Sequence, residues 1–580
     1  MTTTSRPTSN DRPAGRGTRP PVWQPGFLSA ALIGLVAMGL AIGIAELVAA
    51  VGTWLGFLSA GASPITSLGN TFIHLTPEWL KEYAIRTFGQ NDKTALRVGM
   101  YVTLALVAML IGLVGRRSPR IAAGATVLLV LVTIGAVFSN SGTGAFDALP
   151  IILGGAAGVY LLVTAFRRTV APEFLEAPTA DAAPPATTEP PVAARDTARD
   201  GWYDAKPETS GERHPMALAG RPANRPGMDR RQFFRLAGMG AAVAVVTVAV
   251  SRWIPSTAQV MASRANAVVP VPTSKQTIPA DVDFKINGLT PYATPTGSFY
   301  RVDTAFVPPN VTTQEWGLRI HGMVDNEITI DYADLIARPQ IERDITLTCV
   351  SNPVGGDLAG NATWIGTRVD TLLKEAGPRS GADCVLFTSK DGFTQTAPLD
   401  ALTDGRDAIL AVAMNGEVLP IEHGFPVRMV VPGLYGYVSA CKWIVDMKVS
   451  RFADESAYWT QRGWSERGPI KTASRIDVPK GFAQLPAGEV TVAGVAWAQH
   501  RGINKVEVRI DDGPWEAAQL AGDASVDTWR QWKYVWTATA GTHTVQSRAT
   551  DGTGTVQTAT VRDVLPDGAS GYDSRSIVVT

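Results

Sequence analysis

The sequence predicts a multi-domain chain: transmembrane α-helices, then a mixed α+β domain, then an all-β sandwich. Three observations carry this reading. Apolar stretches near the about 20 residues that cross a bilayer crowd the first third of the chain. Period-two apolar segments with Gly and Pro turns dominate from about residue 280 onward. Beyond about residue 487, short strands recur at roughly ten-residue spacing. The 580 residues leave room for three or four units at about 150 residues each. Lys plus Arg (52) balance Asp plus Glu (52), which argues against a nucleic-acid partner. With 45% apolar and 18% charged residues the chain is not disordered, and three cysteines exclude a disulfide scaffold.

Four stretches, at roughly 28–50, 97–115, 121–139 and 148–166, read as spans, and a fifth follows at about 234–252. Basic residues orient them. Arg6, Arg12, Arg16 and Arg19 precede the first span; Arg116, Arg117 and Arg120 separate the second and third. Arg167 and Arg168 follow the fourth, and Arg230, Arg231 and Arg235 precede the fifth. A cytoplasmic N-terminus puts all of them on one side, so everything after about residue 255 is expected outside the cytoplasm. The units are then a cytoplasmic tail, 1–26, and a four-helix membrane domain, 27–168. After the first span, Thr76 and Pro77 are expected to begin a short helix on the outer membrane surface. Glu46 and Arg97, near the outer ends of their spans, are expected to form a structural pair, with an intramembrane functional carboxylate as the other reading. Of six histidines only His74 lies in the first 200 residues, so no haem is expected in this chain.

Residues 169–228 form the expected linker, with ten prolines in 171–228. At its end, Asp229-Arg230-Arg231-Gln232-Phe233-Phe234-Arg235 resembles a twin-arginine export signal, and 229–255 is read as that segment with a fifth helix. Such a route carries folded proteins, which suits a domain that acquires a bulky cofactor before crossing. Ala265-Asn266-Ala267 fits a cleavage site, but retention as an anchor is the expectation.

The chemistry is expected in the α+β unit, 280–474, where 366–376 reads as a short amphipathic helix. Cys349 ends a strand in TLTCVSNPVGGDLAGN, before a turn whose amides are free to face a ligand; a buried thiol is the plainer reading. HGFPVRMVVPGLYGYVSACKW combines His423, Arg428 and Lys442 with Pro/Gly turns, which suits a phosphate-bearing ligand. A linker near 474–486 is expected before an Ig-like sandwich, 485–580.

From about Phe299 to Thr580 the chain resembles the sulfite oxidase family of molybdenum enzymes. The likeness is carried by FYRVDTA, LTCVSN, GNATWIGTRVDTLLKEAG, MNGEVLPIEHGFPVRMVVPGLYGYVSACKW and AYWTQRGWSERG, then by GEVTVAGVAW, VEVRIDDGPW and WRQWKYVW. The resemblance implies a sulfite-oxidase-like domain with molybdopterin as cofactor, and two-electron oxygen-atom transfer on a small molecule: oxidation of a sulfite-like substrate or reduction of an S-oxide or N-oxide. It implies Cys349 as the protein ligand to molybdenum. Tyr300, Arg301, Asp303 and Thr304 would line the pterin; His423, Arg428, Ala440, Cys441 and Lys442 would hold it and its phosphate; Tyr458, Arg462, Trp464 and Arg301 would serve the substrate. The C-terminal unit implies a homodimer, and electrons would pass to a separate haem protein, a cytochrome or a membrane quinone. Animal and plant sulfite oxidases carry an Arg pair after the ligand cysteine where this chain has Pro353 and Val354; Arg301, Arg462 and Arg467 are the candidates to replace those cations. A cofactor-less membrane-anchored scaffold that keeps the fold is the alternative reading.

Overall fold

The structure, a computed structural model, describes residues 25–167 except 56, 78–79, 81–82, 84–86, 89–91 and 141–142, the isolated positions 238, 242 and 246, and residues 256–580. The expected tail, linker, arginine motif and fifth span otherwise lie outside the described residues, as does most of the surface helix after Thr76.

Among the described residues, four helices are long and apolar enough to cross a membrane: Phe27–Trp54, Lys93–Arg117, Pro119–Phe138 and Ala145–Phe166. The helical elements here are α1 (Phe27–Trp54), α2 (Pro64–Leu75), α3 (Asp92–Arg117), α4 (Pro119–Phe138) and α5 (Leu149–Arg167). Lipid tails are as apolar as leucine, so helices associate in a bilayer through close packing of small residues. α1 does this against both α3 and α5. A Cβ on Gly34 would strike the Ala108 carbonyl, one on Gly112 the Ala30 carbonyl, and one on Gly154 the Ala41 carbonyl.

The expected Glu46–Arg97 pair is replaced by two separate contacts. Glu46 accepts from Ser63 Oγ at 2.9 Å and from the Ile65 N–H at 3.1 Å, at the N-terminus of α2. Unsatisfied N–H groups and the helix dipole favour a carboxylate there. Arg97 donates to the Phe306 carbonyl at 3.1 Å and lies 5.1 Å from its ring centroid. Phe306 is buried against Gly69, and its N–H donates to Asn70 Oδ1 at 3.1 Å. This residue docks the following domain onto the helices.

Two sheets build the α+β part. The first runs Ser274–Lys275, Gln340–Thr348, Ala359–Arg368, Ile409–Met414, Arg428–Val430, with Glu417–Val418 also on Ile409–Met414. The second runs Ile328–Asp331, Gly317–Gly322, Ile444–Ser450, Cys384–Ser389, Thr394–Pro398. Trp316, Leu318, Leu372, Phe387, Leu410, Met429 and Met447 share one core. The helix expected over 366–376 begins only at Val369, because 366–368 continue the Ala359–Arg368 strand and pair with Ile409–Met414. Gly377, at φ 67, stops it. Structure also begins before residue 280: the helix Ser256–Asn266, which ends at Ala265-Asn266, anchors through Arg264 to the carbonyls of Leu419 (2.8 Å) and Val418 (2.9 Å).

The β-rich C-terminal region has two sheets over one core that includes Ile476, Val492, Val506, Trp532, Val545 and Ile577. The linker expected near 474–486 is in part a strand: Ala473–Val478 pairs antiparallel with Gly488–Trp497.

Substituting Gly112→Leu forces α1 and α3 apart at the Ala30 carbonyl. Thermal unfolding in detergent is expected to show a loss of about 1–3 kcal/mol, of the kind overpacking produces; a melting curve identical to wild type would contradict this packing.

Candidate active site

The Gln340–Thr348 strand delivers Cys349 to the floor of a cleft. The chain then turns: the Cys349 N–H donates to the Leu358 carbonyl at 2.9 Å, and Asn352 Oδ1 accepts from the Leu358 N–H at 3.0 Å. The C-terminal region clamps this turn. Arg575 donates to the Gly355 carbonyl at 3.1 Å and Arg475 to that of Gly356 at 2.9 Å. Burial pushes the Cys349 thiol up from its ordinary value, with donation from Ser351 acting against it.

Tyr300, Arg301, Asp303, Thr304, Cys349, His423, Arg428, Ala440, Lys442 and Trp464 all line this cleft. Cys441, Tyr458 and Arg462 do not. Cys441 is fully buried in the core between the two sheets, one residue out of phase with Lys442. All three cysteines are free. Arg462 lies 3.6 Å from the Tyr458 ring centroid and donates to the Tyr458 carbonyl at 2.6 Å. Arg467 stacks 5.1 Å from the Phe452 ring centroid. Of the three arginines expected to supply substrate cations, only Arg301 lines the cleft.

The polar wall is an ion network. Asp303 accepts from Lys442 at 2.7 Å and from Arg301 at 2.9 Å. Burial opposes its ionisation, but Lys442 and Arg301 outweigh this and hold its pKa at about 2. Lys442 is lowered from its ordinary value by its own burial, against the pull of Asp303. Arg428 differs. It is buried, and its guanidinium donates to the carbonyls of His423 (3.2 Å), Ala440 (3.4 Å) and Met429 (3.4 Å). It sits 4.9 Å from the Trp364 ring centroid and has no carboxylate partner among the described residues. Burial lowers its pKa to about 10, so it stays charged. Burial and the Arg428 and Lys442 charges lower His423 to about 3, so its imidazole is neutral near pH 7. Gly424, at φ 111, makes the tight turn between these residues; a Cβ there would lie 2.9 Å from Arg428 Cβ.

Ser389, Asp391, Gln395 and Trp459 also line the cleft and are absent from the sequence-derived set. Asp391 is raised above its ordinary value by desolvation. The only signal for Ser389, Asp391 and Gln395 was the SKDGFTQ turn, a Gly-containing hairpin with no chemical pattern of its own, whereas Trp459 stands inside the AYWTQRGWSERG block. Both amide atoms of Gln395, the Trp464 Nε1 donor and Asp303 Oδ1 are buried without a hydrogen-bond partner. A thiol, a buried uncompensated cation and unused donors make a donor set that suits an anionic organic cofactor carrying a soft metal.

Residues 305–459 match the family profile described as "Oxidoreductase molybdopterin binding domain", which sets the class. Sulfite oxidase of Gallus gallus is 30% identical over 306 residues, covering 44% of this chain and 66% of the relative. The uncharacterized oxidoreductase YuiH of Bacillus subtilis is 32% identical over 173 residues, covering 30% of this chain and 84% of its own. The mitochondrial sulfite oxidase of Homo sapiens is 28% identical over 290 residues, 42% of this chain and 52% of that enzyme. The chain thus spans only about half of the human relative. The sulfane dehydrogenase SoxCD of Paracoccus pantotrophus aligns over 54% of this chain and 91% of its own, at 20% identity and a TM-score of 0.44. The chain belongs to the sulfite oxidase family of molybdenum-dependent molybdopterin oxidoreductases.

Two predictions follow from the network. Asp303→Asn leaves the largely buried Lys442 and the partly exposed Arg301 without their carboxylate, and is expected to cost about 3 kcal/mol in the cofactor-free protein; melting in detergent checks this, with Asp303→Glu recovering part of the loss. His423 has a folded value (about 3) below its ordinary 6.5. The unfolded chain therefore takes up the proton first, so stability is full above about pH 6.5 and falls as the pH drops toward 3. His423→Gln is expected to shallow that fall by up to about 1.4 kcal/mol per pH unit. Parallel Tm–pH curves for the two proteins would refute the assignment.

Proposed function

We propose that this chain is a membrane-anchored oxidoreductase whose catalytic domain lies outside the cytoplasm and carries out two-electron oxygen-atom transfer on a small molecule. The observation that carries the reading is the convergence of Cys349 and the uncompensated Arg428 on one cleft. When bound, molybdopterin supplies a metal centre able to exchange one oxygen atom and two electrons with a substrate. Cys349 would hold the metal once its proton is displaced, since the ligand is the thiolate. Arg428 and Lys442 would neutralise the phosphate, neutral His423 would serve as a hydrogen-bond partner without adding charge, and Tyr300 would close the pterin side.

Arg462 and Arg467 are engaged with aromatic rings, and Pro353 and Val354 offer no cation. Tyr437, Trp459 and Trp464 instead surround the approach to Cys349. Arg301, the one expected substrate cation that lines the cleft, is paired with Asp303, so the lining favours a neutral S-oxide or N-oxide, or its reduced partner, over a free oxyanion such as sulfite. Trp464 Nε1, buried without a partner, would be a candidate donor to a substrate oxygen. The proposed units are the catalytic domain expected over 280–474, extended back to take in Ser274–Lys275, and the Ig-like dimerisation domain expected over 485–580, extended back to take in Ala473–Val478.

Metal analysis of purified wild type beside Cys349→Ser tests the reading. About one molybdenum per wild-type chain is expected, lost or spectroscopically altered in the variant, with turnover of dimethyl sulfoxide exceeding that of sulfite. Wild-type protein without molybdenum or pterin, from a host that makes the cofactor, would refute it.

A further inference from the structure

A second cavity, of about 1110 Å³, lies between the membrane helices and the catalytic domain. It is as large as the roomiest ligand sites, which reach about 1000 Å³. Its walls change character along its length. Leu68 and Phe72 of α2, Met100 and Leu104 of α3 and Val132 of α4 line the membrane side. Arg301, Asp303, Thr304, Glu422 and Tyr458 line the opposite side, with Lys93 and Arg97 from the start of α3. Arg301, Val302, Asp303, Thr304 and Trp459 line both this cavity and the cleft of Cys349. One short segment and one indole are therefore the shared partition.

This arrangement sorts the occupants. The apolar end accepts a hydrocarbon tail at membrane depth. At the polar end, three cations face two carboxylates, so the wall is close to neutral and rich in N–H donors. That suits carbonyl oxygens on a ring better than a phosphodiester. A redox-active head alone gains from a partition one side chain thick against a redox cleft.

We propose that this cavity binds an isoprenoid quinone, which exchanges electrons with the cofactor cleft across the Arg301–Thr304 segment and Trp459. The proposal rests on the redox reading of the first cleft. The exchange balances: substrate S, water and quinone Q give SO and QH2. Two electrons and two protons leave the substrate–water pair and both arrive on the quinone carbonyls, and S-oxide reduction is the same equation reversed.

The test uses purified full-length protein. Its organic extract is assayed for quinone, and the protein is titrated with decylubiquinone while tryptophan fluorescence is followed, because Trp459 borders the cavity. Gly99 and Gly135 line the cavity, and no atom lies within 4 Å of a Cβ added at either. Gly99→Phe and Gly135→Phe therefore extend a ring into the cavity from an unhindered Cβ. Gly124 is equally open and lies elsewhere, so Gly124→Phe is the control. Wild type and the control are expected to show saturable quenching, weakened about tenfold or more by the filling variants, all with wild-type molybdenum content. Absence of saturable quenching in wild type, phospholipid without quinone in the extract and no displacement by decylubiquinone, or quenching unchanged by both fillings would each overturn the proposal. Missing molybdenum in wild type would count against the first cleft, while the titration scores this cavity separately.

Discussion

A buried carboxylate holds the two walls of the cleft together. Asp303 belongs to the segment that follows Phe299, and Lys442 to the turn before the Ile444–Ser450 strand; their side chains meet at 2.7 Å. Neither is stable alone at that burial. Desolvation disfavours the charged form of each, and only the partner reverses this for Asp303, with help from Arg301. The separation between the Tyr300 wall and the Arg428 wall thus depends on an interaction that works only as a pair. The same segment reaches the apolar helices three residues later, where Phe306 seats on Gly69 and Asn70. Eight residues therefore set both the shape of the cleft and its position over the helices.

The opposite wall is held from a distance. Thr346, three residues before Cys349, accepts from Gln499 Nε2 through its carbonyl (2.8 Å) and from the Trp529 N–H through Oγ1 (2.7 Å), and its own N–H donates to Asp527 (3.0 Å). Trp529 also donates to the Tyr292 carbonyl at 2.8 Å. All three reach in from the C-terminal region. Together with the arginine clamps on Gly355 and Gly356, they leave the turn carrying the thiol little freedom. The C-terminal region thereby determines where Cys349 stands.

Much of this was legible in the sequence, and the exceptions have physical causes. Composition alone placed the four apolar helices, because hydrocarbon admits little else. Strands with one wetted face, such as Gly317–Gly322, announced themselves by alternation. Ile409–Met414 did not, since it is buried on both faces and reads as a plain apolar run. Ala473–Val478 carries Ser, Arg and Asp inward onto bonded partners, which disguised a strand as a linker. Most site residues came from motif blocks of related sequences, which is why Cys441 was included although its side chain enters the core while that of its neighbour Lys442 lines the cleft. Asp391 and Gln395 were missed because nothing local distinguishes them from any polar hairpin; only the fold brings that turn to Cys349. The Glu46–Arg97 pair failed because sequence proximity to a membrane edge says nothing about which backbone groups compete for each charge.

Arg428 shows why such a cleft is costly to keep and is kept. A buried guanidinium bonded only to carbonyls gives up hydration without gaining a counter-charge. Trp464 and Gln395 add buried polar atoms without partners. A core chosen for stability alone would remove all three. What retains the arrangement mechanically is the packing behind it: Phe299 stands edge-on to both Trp364 (5.8 Å) and His423 (5.8 Å), and Trp364 backs Arg428. These aromatic contacts do not depend on a counter-charge, so they hold the guanidinium in place by themselves, and under the proposed function an anionic ligand would supply that charge. Such binding would relieve a penalty that exists only in the folded chain. By mass action, the affinity of the cleft for its ligand and the stability of the fold are one linked quantity.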